Sequence, residues 1–191
     1  MLILGCDPGA STGLVLVEAE SGRLTRILDR ATLTRRKSTA AAYARHAMSI
    51  GAWLSRPPVS LAREGNLVTW PAPDVVAVED PTCLPDAWYG ASRGRHVARG
   101  TGAKIGAAYG CLLGALATSH VTQDVPLVAY PVTTWMHGLF GRGAKREAIY
   151  RLLAAMARTV TEETLPEDQL AALGVAAWHA QQTHTVARRA S

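Results

Sequence analysis

The sequence predicts an α/β fold: a five-stranded mixed sheet, with three antiparallel strands first and parallel ones after, flanked by helices. Three observations carry that expectation. The chain opens with apolar runs at 2–6, 13–17 and 24–28, joined by short turns. Its middle holds Val75-Val76-Ala77-Val78, a continuous and mostly β-branched run, which reads as a strand buried on both faces. Its second half alternates one more short apolar run with long stretches free of internal proline, the pattern of helices laid against a sheet.

Taken in order, the first run ends at Asp7-Pro8-Gly9 and the second turns at Ser21-Gly22 into the third. Such short connections make a three-stranded antiparallel meander. The Ala-rich residues 38–54 predict a helix, and four prolines within 57–73 predict an irregular connection. The central strand 75–78 stops at Glu79-Asp80-Pro81, and residues 82–101 read as a basic loop before a long helix to about Ser119. A strand over 125–130 and helices over 142–160 and 166–184 complete the order, leaving 188–191 as a frayed tail. The last helix has an acidic first turn, which suits the helix dipole.

With 191 residues and 48% hydrophobic content, the chain fits one domain with a substantial core. A net charge of +5 permits a polyanionic partner without requiring one. Cys6, Cys83 and Cys111 are odd in number and without CxxC spacing, so free thiols are expected rather than disulfides or a zinc knuckle. His179 and His184 lie five apart, off any shared helical face, which also speaks against zinc. The opening residues do not read as a signal peptide. The longest apolar stretch, 105–117, falls short of the ~18 residues of a membrane span. A soluble cytoplasmic protein is the expectation.

Three acids stand at informative places: Asp7 after the first strand, Glu79 after the central strand, and Asp168 at the start of the last helix. In open α/β sheets, sites gather at the carboxyl ends of strands. Carboxylates packed there without a cation repel one another and take up protons. Mg²⁺ or Mn²⁺ relieves that repulsion, and two such ions ~3.5–4 Å apart can drive phosphodiester hydrolysis. Singly, each acid has a structural reading, as turn residue, strand-end charge or helix-dipole partner.

The motifs are more specific than the acids alone. Ile3-Leu4-Gly5-Cys6-Asp7-Pro8-Gly9 with Thr12-Gly13 resembles the opening motif of RuvC-like Holliday-junction resolvases, within the ribonuclease H-like superfamily and known from bacteria and phages. Val75-Val76-Ala77-Val78-Glu79 is similar to the family's second acidic strand. Gly141-Arg142-Gly143-Ala144-Lys145 and the stretch from Asp168-Gln169-Leu170-Ala171-Ala172-Leu173-Gly174 to Trp178-His179 resemble its closing segment. The resemblance implies that Asp7, Glu79 and Asp168 are metal-binding catalytic residues, with two Mg²⁺ or Mn²⁺ ions expected per site; Lys145 is the candidate for a catalytic phosphate contact near the metals. The resemblance also implies a symmetric homodimer acting on branched DNA. One departure stands out: the family's closing helix carries a second acid three residues after the first, and here that position is Ala171. Residues three apart share a helix face, so the expected fourth carboxylate is missing and the enzyme is expected to be weakened or inactive.

For DNA, Trp88 and Tyr89 precede a basic run with Arg93, Arg95, Arg99 and Lys104, and Arg142, Lys145 and Arg146 form a second group. Cations of this kind neutralise phosphates, and aromatic rings stack on unpaired bases. Gly102, Gly106, Gly110 and Gly114 recur every four residues on the long helix, which predicts close approach of another helix, within the fold or across a dimer. The sequence leaves three rivals: another nuclease of the superfamily, acting on flaps or RNA–DNA hybrids, an actin-like nucleotide-binding protein, and a catalytically dead junction-binding module suggested by Ala171. The actin-like reading needs two lobes, and 191 residues supply one.

Overall fold

The computed structural model describes residues 1–56, 71–81 and 101–190. Along them run β1 (Leu2–Asp7), β2 (Ser11–Glu20), β3 (Arg23–Thr34), α1 (Ala40–Ser55), β4 (Val75–Asp80), α2 (Thr101–Thr118), β5 (Leu127–Pro131), α3 (Val132–Phe140), α4 (Arg146–Ala157) and α5 (Glu167–Ala190). The strands form one sheet in the order β3-β2-β1-β4-β5. β1, β2 and β3 are antiparallel neighbours, while β4 and β5 run parallel to β1. The expected mixed sheet is therefore present.

Alternation along each strand sends side chains to opposite faces and divides the interior into two cores. Ile3, Val15, Val17, Val75 and Ala77 pack with α5, α4 and Trp135 on one face. Leu4, Cys6, Leu14, Leu16, Val76 and Val78 pack with α1 and α2 on the other. At the β2–β3 hairpin, Ser21 and Gly22 both have positive φ, 50° and 79°. That is the two-residue turn whose twist matches paired strands.

α5 lies directly on the sheet because two glycines leave room for its backbone. A Cβ on Gly5 would stand 2.2 Å from the carbonyl oxygen of Ala172, and one on Gly13 would stand 2.0 Å from that of Asp168. The small residues of the opening motif thus bring the first turns of α5 across β1 and β2.

Several elements differ from expectation. β3 is twelve residues long, because it pairs with β2 from Glu20↔Arg23 to Ser11↔Thr34. Residues 132–140 form a helix, α3, that the sequence pattern does not announce; Pro131 is its N-cap and Gly141, at φ 83°, ends it. α4 starts at Arg146 rather than 142, since Gly143 also adopts φ 83°. Arg188 and Arg189 continue α5 to Ala190 instead of fraying. The glycine ridge of α2 has no helix against it within the described chain: a Cβ on Gly106, Gly110 or Gly114 would meet nothing within 4 Å. No helix of the described residues is long and apolar enough to cross a membrane.

Candidate active site

The parallel pairing of β1 with β4 aligns Cys6 with Val78, so Asp7 and Glu79 follow side by side at one end of the sheet. Both share the parity of the residues that face α5, Ile3 and Gly5 in β1, Val75 and Ala77 in β4. Asp7 is also paired with Gly13 across β1–β2, and Gly13 is the residue on which the Asp168 backbone rests. Three acids from distant parts of the chain therefore converge on one sheet end, beneath the N-terminus of α5.

Their electrostatics reflect that convergence. Burial, reinforced by the carboxylates of Glu79 and Asp168, pushes Asp7 well above the ordinary carboxylate range, against the pull of Arg146. Burial raises Glu79 to about 7, although a hydrogen bond from Trp135 and the charge of Arg146 both favour its ionised form. Asp168 is raised by burial and by Glu167, again opposed by Arg146. Without a cation, such a group holds protons at a pH where isolated carboxylates have lost them.

Two residues that interact with these acids were not legible in the sequence. Trp135 is fully buried and donates its indole N–H to Oε2 of Glu79 at 2.9 Å. It arrives there because β5 runs beside β4, with Tyr130 opposite Glu79 and Pro131 opposite Asp80; α3 follows at once and carries Trp135 one turn in. Its ring occupies space left by Gly174 of α5, where a Cβ would come within 2.5 Å of the indole. The second is Tyr150, whose hydroxyl is pushed up to about 12, chiefly by burial with added repulsion from Asp7 and Glu79. The Arg146 guanidinium stacks 5.2 Å from the Tyr150 ring centroid and pairs with Glu167 at 3.0 Å. The four-residue spacing of Arg146 and Tyr150 on α4 was the only sequence signal for this pair.

Of the other expected site residues, Lys145 is exposed at the N-cap of α4, its carbonyl accepting from the amides of Ala148 and Ile149. Arg142 is exposed between Gly141 and Gly143. Lys104 is exposed on α2, and its carbonyl accepts a hydrogen bond from Tyr43. Ala171 is 2% exposed in the core beneath α5. Trp88, Tyr89, Arg93, Arg95 and Arg99 lie outside the described residues, as does Cys83. Cys6 is a buried free thiol and Cys111 a half-buried one.

The donor chemistry suits a hard divalent cation, since Asp7, Glu79 and Asp168 offer only carboxylate oxygens. The fit is incomplete in one respect. Among the described residues, no three His, Cys, Asp or Glu side chains are grouped closely enough to hold a single ion.

No protein-family model matches the chain, and no curated protein matches it in sequence. Its fold, by contrast, has clear counterparts. A structure of T. thermophilus RuvC in complex with Holliday junction substrate superposes with a TM-score of 0.64 at 22% identity, covering 97% of this chain and 96% of that one. A second Thermus thermophilus RuvC structure gives 0.62 at 25% identity, covering 97% of each. The chain is similar to these RuvC structures and shares their ribonuclease H-like fold over nearly its entire length.

Proposed function

We propose that this protein is a structure-selective endodeoxyribonuclease that hydrolyses phosphodiester bonds at four-way DNA junctions. The observation that carries the reading is the convergence of Asp7, Glu79 and Asp168 on one end of a RuvC-like sheet. A likeness to a RuvC captured with Holliday junction substrate supports the choice of DNA. Asp7, Glu79 and Asp168 would hold Mg²⁺ or Mn²⁺, with two ions per site, and the ions would supply an activated water and a stabilised leaving oxygen.

The protein's own residues set the conditions for that chemistry. Trp135 fixes one carboxylate oxygen of Glu79, and the carboxylate so oriented would help to hold the metal. Arg146 lowers all three acids, which favours the ionised forms that a cation needs. We assign phosphate contact to Lys145, at the start of α4, with Arg142 and Arg146 beside it in the chain, and to the basic run Arg93, Arg95, Arg99 and Lys104 on the sequence alone. Ala171 contributes no ligand, so cleavage is slow in the chain as it stands. A symmetric homodimer suits a substrate with two equivalent strands to cut, and the open glycine ridge of α2 is available for it.

The deciding experiment incubates the purified protein with a synthetic four-way junction, a flap, an RNA–DNA hybrid and a plain duplex, each with Mg²⁺ and with Mn²⁺. Junction-selective binding, with paired cuts that Asp7→Asn abolishes, is the expected result. Equal handling of all four, or preference for the hybrid, would sink the junction reading.

A further inference from the structure

A second charged site stands apart from the carboxylates. A cavity of about 420 Å³ opens where β3 passes into α1, and Arg35, Arg36, Lys37, Arg45 and His46 line it without any acidic residue. Arg36, Lys37 and Arg45 are exposed and, among the described residues, have no ion-pair partner. Two nearby arginines are treated differently: Arg30 of β3 meets Glu163, and Arg56, which caps α1, meets Asp29.

The floor of this cleft is built rather than incidental. Arg35 is only 9% exposed. Its Nη1 donates to the Lys37 carbonyl at 2.6 Å and to Ser38 Oγ at 3.1 Å, and its guanidinium lies 3.9 Å from the Tyr43 ring centroid. Its Nε is buried and has no hydrogen-bond partner. A buried cationic donor left without an acceptor is costly, and it keeps the floor of the cleft positively charged without a neutralising partner. Behind it, Thr12 Oγ1 and His46 Nε2 are joined at 2.8 Å in the interior, which pins α1 to β2 and holds the wall in place. Arg45 and His46 are thus mounted on α1, and Arg35, through its own hydrogen bonds, anchors the connection that carries Arg36 and Lys37.

Position indicates the ligand. Thr34 lies opposite Ser11, and Asp7 opposite Gly13, so cleft and carboxylates share one end of the sheet. They stand two strands apart, about 10 Å at ~4.8 Å per strand. The cleft belongs to the α1 side and the carboxylates to the α5 side. Phosphates recur along a DNA strand every ~3.4 Å of helix axis, so a duplex entering the carboxylates carries further phosphates within reach of the cleft.

We propose that the Arg35–Arg45 cleft is a second DNA-contact site, gripping backbone phosphates of the duplex arm beyond the point of cleavage. The assignment builds on the nuclease reading, and its test separates the two. The variant R36A/K37A/R45A removes three exposed cations and leaves buried Arg35 in place. The control R23A/R158A/R189A removes the same charge from exposed positions elsewhere. Binding of plain duplex and of a four-way junction is measured as a function of salt, with melting curves to verify the fold. The cleft variant should bind both DNAs at least tenfold more weakly at ~0.1 M salt. Its log–log salt slope should fall by roughly 0.9 for each phosphate it no longer neutralises, with the control near wild type. A cleft variant no weaker than the control overturns the assignment. If the wild type binds duplex and junction equally and cuts neither, the nuclease reading fails, while the duplex slopes still judge the cleft. Inorganic pyrophosphate is the third arm. If it binds the wild type but not the cleft variant, and DNA binding is unchanged between them, the cleft serves small phosphates and the DNA assignment is wrong.

Discussion

Trp135 holds Glu79 through an indole N–H to Oε2 hydrogen bond of 2.9 Å. This links a helix that follows β5 to an acid that ends β4. It makes the rotamer of one proposed metal ligand depend on packing between α3 and α5. Removing the donor while keeping an aromatic ring, as in Trp135→Phe, leaves Glu79 more easily protonated. A hydrogen bond to a charged group is worth ~1.5–3 kcal/mol, so cleavage near neutral pH should fall about 10- to 100-fold. The acid limb of the pH–rate profile should move upward. An unchanged limb would show that Trp135 serves packing alone.

Gly174 provides the space for that indole. A methyl group there would meet Trp135 at 2.5 Å and a Leu153 methyl at 2.9 Å. Helix propensity favours alanine over glycine by ~1 kcal/mol, yet overpacking of a core costs ~1–3 kcal/mol. Gly174→Ala should therefore lower thermal stability and weaken Mg²⁺ binding together. A stabilised variant with unaltered Mg²⁺ affinity would refute this account of the glycine.

The carboxylates also set a pH dependence. Glu79 lies at about 7 in the fold against an ordinary value of 4.5, and Asp7 is raised as well. Between those values the folded protein keeps a proton that the unfolded chain has released. The stability it contributes is complete below about 4.5 and is lost as pH rises through about 7. Melting curves in EDTA should accordingly drop by roughly 5 °C or more from pH 5 to pH 8, at ~2–4 °C per kcal/mol for a chain of this size. Mg²⁺ should recover most of that loss at the alkaline end. A flat or rising EDTA curve is the contrary outcome.

Ala171 is the position where the family resemblance implies an acid. At 2% exposure, a carboxylate placed there has no access to water, and an unpaired buried charge costs ~3–5 kcal/mol. Ala171→Asp should be less stable than the parent in EDTA, regain stability with Mn²⁺, and cleave a four-way junction at least tenfold faster. Lost stability without metal rescue, and without added cleavage, would eliminate position 171 as a missing ligand.

Much of the architecture was legible in the sequence. Three apolar runs joined by short turns in the first thirty residues marked a meander, and the run from Val75 to Val78 marked a strand covered on both faces. These patterns survive because burial of whole strand faces dominates the energetics, and periodicity records it directly. The acids at the ends of β1 and β4 were legible for the same reason, since a charge that abruptly ends an apolar run marks a strand's exit. α3 was missed because nine residues are too few to show a helical period between a proline and a glycine. The glycine ridge of α2 predicted a neighbouring helix, which the described chain does not supply, because spacing reports a shared face without naming what covers it.

By itself the sequence determined the order of elements, the two-sided burial of the central strand, and the three acids at element ends. Each of these rests on local pattern and on the pairing of apolar surface. Only the tertiary structure decided that Gly5 and Gly13 admit the backbone of α5, that Trp135 reaches Glu79 across 56 residues, and that the charge of Arg146 acts on all three acids. It also joined Arg35 with Arg45 and His46 in one cleft. Those relationships depend on close packing between segments far apart in the chain. Packing complementarity of this kind leaves no period in a sequence.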